Sequence, residues 1–186
     1  MALIDQLGRD HRNMRILLDL IEREMDIYRS GARPDFDLLR QILEYTLHYP
    51  DLVHHPKEDL LFDRLKTHDA AAVAAIGDLI SEHKVLGDLT RRFAAAVSNA
   101  ARDIDVPRPW FEALADSYLR HHRIHMQAEE KHFFPRVLAV LEDSEWAELD
   151  RRAAETADPL FGPKVANAYL GLYEQIVRKG ALISTT

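Results

Sequence analysis

Two short segments of the chain carry the same chemistry at the same spacing. His54 is followed four residues later by Glu58 and then by Phe62, and His125 is followed four residues later by Glu129 and then by Phe133. On a helix, residues four apart lie about one turn apart on one face, so each pair aims an imidazole and a carboxylate at the same point. Two such helices facing each other describe a metal site. Carboxylates that bridge two cations, with histidines in the outer positions, are how helical bundles hold paired iron or manganese.

Such a site needs helices with inward polar residues, and hydrophobic spacing near 3.6 runs through the whole chain, with no sustained strand-type alternation. The pattern predicts a first helix from Ile4 to Arg29, with Leu3, Leu7, Met14, Leu18, Ile21 and Met25 inward and His11 in the gap between Leu7 and Met14. A second is expected from Asp35 to Lys66, with Leu39, Ile42, Leu61 and Leu65 inward and Pro50 and Pro56 bending it beside His54. A third, from Asp69 to Ala100, places Ala72, Ile76, Leu79, Leu86, Phe93 and Val97 on one side, with His83 on the same stripe. A fourth follows the proline-containing turn at 103–109 and runs to Leu141. Its buried edge is Phe111, Leu114, Tyr118, His125, Glu129, Phe133 and Val137, and Pro135 is placed to bend its later part.

Four long segments with short connections give an all-α fold, an up-down-up-down antiparallel four-helix bundle, with additional C-terminal helices. One of these is expected from Ser144, as N-cap, to Thr156. After a loop at 158–163, a last one carries Val165, Tyr169, Leu172, Ile176 and Val177 toward Ile183. Residues 1–142 are expected to form the bundle, and residues 143–186 a helical extension packed on it or on a partner subunit, which makes a homo-oligomer through the C-terminal helix one expectation.

Composition narrows the chemistry. There is no cysteine among the 186 residues, so disulfides and thiolate ligands are excluded, and nitrogen and oxygen donors favour iron, manganese or zinc. A net charge of -7 without a Lys/Arg tract argues against nucleic acid. No apolar run approaches the roughly 20 residues that span a bilayer, and the start shows no basic segment leading into an apolar one, so a cytoplasmic protein without membrane contact is expected. A buried imidazole commonly needs only a backbone carbonyl, so His11 or His83 alone indicates little. Buried glutamate is different: an ionised carboxylate in the core needs a cation, and no inward Lys or Arg lies on these stripes. The plain alternative, exposed His and Glu neighbours on helix surfaces, must treat four inward histidines, one per helix, as coincidence.

The order His11, His54-x-x-x-Glu58, Glu82-His83 and His125-x-x-x-Glu129 resembles the hemerythrin-like, or HHE cation-binding, domain over residues 4–141. The resemblance implies a four-helix bundle around two non-haem iron ions joined by an oxo or hydroxo bridge, with manganese or zinc as alternative metals. It implies His11, His54, His83 and His125 as terminal ligands, and Glu58 and Glu129 as bridges. The segment 158–163 and the helix after it also resemble the C-terminal extension of some bacterial members.

The pattern departs from oxygen-carrying hemerythrins in two places. Those proteins place two histidines four apart on the third helix, where this chain has Leu79 and Gly87 on either side of His83, and their fourth helix uses His and Asp at longer spacing. Water, open positions or further residues must complete the metal shells. His55 and His122 are the candidates for ligand or supporting roles, while Tyr45 and Tyr118 are candidates for hydrogen bonds to a ligand or otherwise for plain packing. Gly87 is read either as an opening toward the metals or as a close helix contact. His48, His68, His121, His132 and Glu82 are read as peripheral. The function expected is a di-iron protein that binds or senses oxygen, iron or redox species, with a diatomic molecule or peroxide as ligand. The alternatives are a di-iron enzyme with ferroxidase, peroxide- or nitric-oxide-related activity, an iron store or donor, and a structural zinc module.

Overall fold

A computed structural model describes residues 2–153 and 157–180. Helices account for the regular structure, and no strand occurs among the described residues. In chain order the α-helices are α1 Ala2–Arg29, α2 Phe36–His48, α3 His55–His68, α4 Ala70–Ile76, α5 Leu79–Ala101, α6 Arg108–Ala128, α7 Phe134–Val140, α8 Asp143–Ala153 and α9 Leu170–Arg178. No described helix is long and apolar enough to cross a membrane.

The expected second helix, 35–66, is divided by one wide π-helical segment, Pro50–His54, and the fourth by another, Glu129–Phe133. Both have the same origin. Each ends two residues before a proline, Pro56 or Pro135, which offers no amide hydrogen and whose ring crowds the carbonyl four residues back. The backbone relieves the clash by opening the preceding turn to i→i−5 bonding: His54 N donates to Tyr49 O at 3.1 Å, and the Phe134 amide donates to Glu129 O. One extra residue per wide turn rotates the following residues, and both wide turns abut the His–Glu pairs.

The expected third helix is also divided. Gly77 adopts φ 96°, a left-handed conformation that ends α4, and the Asp78 side chain then caps α5 by accepting from Ser81 N. Ala72 and Ile76 are therefore only half-buried, and α4 contributes no buried residue. The helix expected to start at a Ser144 cap begins one residue earlier, at Asp143, so Ser144 lies inside its first turn. Its expected end at Thr156, and the expected end of the last helix at Ile183, lie outside the described residues. That last helix begins at Leu170, after a 3-10 turn at Asn167–Tyr169, leaving Val165 ahead of it.

α1 packs against α2 and α6, α5 against α2 and α6, and α3 against α5 and α7, while α8 and α9 lie on α1 and α2. The apolar side chains fall into two clusters. One gathers Met14 to Met25, Phe36 to Tyr49, Leu89 to Val97 and Phe111 to Met126; the other gathers Leu3, Leu7, Leu61 to Leu65, Leu79 and Phe133 to Leu141, with Trp146 and Leu149 of α8. His11, His54 and His83 each lie, along the chain, between a member of one cluster and a member of the other, as does the pair His125 and Glu129. The order in which the chain meets the clusters reverses from each segment to the next.

Phe93 is fully buried among Phe111 and Tyr118 in the larger cluster. Its truncation to alanine should cost about 3–5 kcal/mol of stability. Chemical denaturation checks this, and a loss within about 1 kcal/mol would mean that this cluster does not hold the helices together.

Candidate metal centre

Six side chains converge between the two clusters. His11, His54 and Glu58 are completely buried, and Glu129, His83 and His125 nearly so. The Nε2 atoms of all four imidazoles point at the two carboxylates, and the arrangement is shared in a definite way. Glu58 Oε1 lies 3.4 Å from His11 Nε2 and 3.2 Å from His54 Nε2, while its Oε2 lies 3.4 Å from His83 Nε2. Glu129 Oε2 lies 3.3 Å from His11 Nε2, and its Oε1 lies 3.5 Å from His83 Nε2 and 3.1 Å from His125 Nε2. Each carboxylate thus turns one oxygen toward a His11–His54 half and the other toward a His83–His125 half.

None of these eight atoms makes a hydrogen bond: the four Nε2 atoms and all four carboxylate oxygens are buried without a partner. Buried polar atoms are paired as a rule, and an unpaired ionised carboxylate costs several kcal/mol. Eight orphaned N and O donors aimed at a common centre fit cations in that centre. Donor atoms close enough to share an ion occur in two groups, His11 with His54 and Glu58, and His55 with Glu58, His83 and His125.

The outer nitrogen of each imidazole is held by a carboxylate from another segment. His54 Nδ1 lies 3.1 Å from Asp10, His83 Nδ1 2.9 Å from Asp59, His125 Nδ1 3.0 Å from Glu82 and His11 Nδ1 3.1 Å from Glu130. The four contacts form a ring around the molecule. α1 supplies Asp10 to His54, α3 supplies Asp59 to His83, α5 supplies Glu82 to His125, and the wide turn after α6 returns Glu130 to His11 of α1. Every one of these acids is the immediate neighbour of a centre residue in the chain, which rotates it about 100° toward the next helix. A carboxylate on Nδ1 fixes the ring orientation and leaves Nε2 for the metal. Two of them are anchored further: Tyr49 donates to Asp10, and Arg15 donates to Glu130 at 2.6 Å.

Glu82, read from sequence as a surface residue, is half-exposed as that reading required, yet its carboxylate reaches His125. Sequence reasoning did not single out Asp10, Asp59 or Glu130; the signal available was an acid directly beside a residue of the centre. The supplementary candidates separate. His55 joins the second donor group and stacks on His83 with centroids 4.2 Å apart. His122 lies in neither group: its Nδ1 pairs with Tyr118 O at 2.9 Å, and its ring lies against Tyr118. Tyr118 packs on Phe93 and His122, and Tyr45 donates to Asp158 at 3.0 Å, so neither hydroxyl bonds a residue of the centre. Lys57, absent from the inward stripes read from sequence, is buried.

The electrostatics follow from the same geometry. Burial alone pushes the imidazoles down, but the carboxylates outweigh it: His54 is held up at about 10 by Glu58 and Asp10, His83 at about 11 by Asp59, Glu129 and Glu58, and His125 at about 9 by Glu129 and Glu82. His11 is raised as well, by Glu129 and Glu58 against the same burial. Burial raises the carboxylates, and Glu58 also raises Glu129. The facing imidazoles still hold Glu58 well below the usual range and Glu129 at about 2. His122 and His55 go the other way, pushed down by burial, His122 to about 4.

In the absence of metal, the raised values of His54, His83 and His125 favour their protonated forms at neutral pH. Because these pKa values lie above the ordinary 6.5, the stability they contribute is complete below 6.5 and is lost as pH rises through about 9 to 11. The glutamates, depressed, contribute above their ordinary 4.5 and lose that contribution as pH falls toward about 2. The family model for the hemerythrin HHE cation binding domain matches residues 2–137. No curated protein and no solved structure matches the chain.

Chelator-stripped protein should melt at progressively lower temperature as pH is raised from 9 to 11. Uptake of a divalent ion at pH 7 should expel protons, visible as a buffer-dependent heat in calorimetry, with affinity rising with pH. Uptake without proton release would show that the imidazoles are already neutral.

Proposed function

Because the chain belongs to the hemerythrin HHE cation binding domain family, we propose that it holds two iron ions, and that it binds or senses oxygen, iron or redox species through them. His11 and His54 are the terminal ligands of one ion, His83 and His125 those of the other, and Glu58 and Glu129 bridge the pair. His55 is the fifth imidazole, taking the place of the second third-helix histidine that Leu79 and Gly87 do not provide. The observation that carries this reading is the division of each buried carboxylate between the two histidine pairs. A single ion would need only one such half. Nitrogen and oxygen donors in this mixture suit iron, and manganese or zinc satisfy the same donors less selectively.

The reversing order in which the chain meets the two apolar clusters supports an up-down-up-down antiparallel four-helix bundle over residues 1–142. Residues 143–186 are the extension, with α8 and α9 laid on the bundle. A cytoplasmic location and a homo-oligomer formed through the C-terminal helix belong to the same reading.

A bound iron pair supplies one-electron chemistry toward dioxygen, peroxide or nitric oxide, and the protein's part is orientation, dryness and access. The carboxylates on Nδ1 make the imidazoles better donors, and the two apolar clusters exclude water along the bundle axis. A cavity of about 220 Å³ lined by Val85, Leu86, Ile124 and Ala128 reaches His125 and Glu82. Its apolar wall suits a small neutral ligand. That observation favours ligand binding over simple iron storage, in which the stored ions themselves must pass.

Purified protein should contain iron and, when reduced anaerobically and exposed to air, develop a visible absorption band. Zinc alone and a colourless protein would reject the redox reading. Glu58→Ala and Glu129→Ala should each lose at least one ion per chain, by metal analysis; full loading of both variants would remove the bridging assignment. Asp10→Asn should weaken metal affinity about 10–100-fold, and more than Glu82→Gln, because Asp10 is buried and Glu82 half-exposed.

A further inference from the structure

Beside the centre, one turn before the His54–Glu58 pair, Asp51 and His55 repeat its spacing of four. His55 Nδ1 lies 3.5 Å from Asp51 Oδ1, and no hydrogen bond joins them. The His55 side chain is 7% exposed, and both Asp51 oxygens are buried without a hydrogen-bond partner. A desolvated acid without a hydrogen-bond partner, set beside a buried imidazole, makes a donor pair that a cation would complete.

Its position gives the pair a direction. A His55 donor atom lies within 4.8 Å of donors on Glu58, His83 and His125, and its Nδ1 lies 3.5 Å from Asp51 Oδ1. Both residues line a surface pocket of about 500 Å³ whose wall also includes His83, Asp59, Gly87 and Arg91. Gly87 keeps the pocket open over Asp51. A β-carbon there would sit 3.4 Å from Asp51 Oδ2, and any longer side chain would extend into the pocket. The cationic groups at this mouth are Lys84 and Arg91; the Arg91 guanidinium, hydrogen-bonded to Asp88, stands with Asp51 Oδ2 over Gly87 and draws Asp51 toward its charged form. Other openings lie near the centre. One presents Arg15, Arg123 and Lys131 with Asp19 and Glu130, one is the largely apolar cavity at His125, where Glu82 is already engaged, and one reaches Asp10 beside Arg9; none of these holds an acid whose two oxygens are both buried without a hydrogen-bond partner, as Asp51 does.

We propose that the Asp51–His55 pocket is the route by which a divalent cation enters the His83–His125 half of the centre, with the Asp51 carboxylate as its transient ligand and the His55 ring as the first resident ligand that it meets. The ion sheds water against Asp51, passes to His55, and is then also bound by the oxygens of Glu58 and Glu129 and by His83. Asp51 acts during loading and is not a ligand of the finished centre. The proposal rests on the metal-binding reading of the centre, and the test separates the two.

Chelator-stripped protein is mixed with cobalt(II) under argon, and the visible absorbance of bound cobalt is followed by stopped flow. The endpoint is measured as ions per chain. Asp51→Asn, which changes charge and not volume, and Gly87→Leu, which fills the pocket without removing a donor, should each slow loading by about tenfold or more, with the endpoint of the unaltered chain retained. Asp51→Glu should keep most of the rate. Unchanged rates in both slowing variants would overturn the route and leave the centre standing. A lowered endpoint in Asp51→Asn would overturn it too, by making Asp51 a resident ligand. Failure of the unaltered chain to take up cobalt would end both readings. Circular dichroism verifies that the variants fold, and Asp51→Asn decides the matter if Gly87→Leu does not.

Discussion

Two carboxylates buried at the middle of an apolar bundle impose the condition that the rest of the molecule meets. Among the described residues, the ion-pair partners of Glu58 and Glu129 are four imidazole nitrogens, those of His11, His54, His83 and His125. Removing an ionised carboxylate from water costs several kcal/mol even after relaxation, so positive charge must occupy the space between. Protons on the imidazoles supply it in the metal-free chain, which is why those pKa values lie so far above 6.5. Metal ions supply it with more charge in less room. Protons and metal therefore compete for one set of atoms, and the site's metal affinity is set against its own protonation.

The ring of outer carboxylates converts this local demand into a tertiary constraint. Each of Asp10, Asp59, Glu82 and Glu130 ties the segment that carries it to the histidine of another, so no segment can rotate without breaking two contacts, its own and the one it receives. The apolar clusters above and below supply most of the stabilisation but tolerate small slippage, because hydrophobic contact is non-directional. The polar layer between them fixes the rotational register of the helices. The wide turns before Pro56 and Pro135 serve the same end. They shift the chain at the two places where a regular helix would carry the residues after the wide turn onto a different face.

Much of this was legible in the sequence. Every position of the inward stripes on α1 and on the last long segment is buried, because 3.6-residue spacing holds along α1 and α6. The six residues of the centre stood out because glutamate on an apolar stripe is costly and repeated spacing is rarely accidental. The break at Gly77 escaped a reading based on periodicity, since the apolar pattern runs straight across it while the left-handed backbone there does not. The ring of acids escaped because each lies off the apolar stripe, where a charged residue ordinarily signals solvent; only its adjacency to a centre residue marks it. Of the two readings open for Tyr45 and Tyr118, packing is the one that fits: both are buried, Tyr118 among Phe93 and His122, and Tyr45 with its hydroxyl on Asp158.

The two halves of the centre are chemically alike and physically different. His11 and His54 are fully buried, and their outer partners are buried Asp10, held by Tyr49, and Glu130, held by Arg15. His83 and His125 lie beside surface openings, and their partners Asp59 and Glu82 reach solvent, as Glu130 also does. A charge-assisted bond in a dry setting is stiffer and stronger than the same bond at the surface. On the proposed two-ion reading, the buried Asp10–His54 contact is the one held most firmly, and the His83–His125 half is the one nearer to exchange with solvent. A chemistry that needs one position retained and the other reached by a small molecule or an incoming ion is the one that such a division serves.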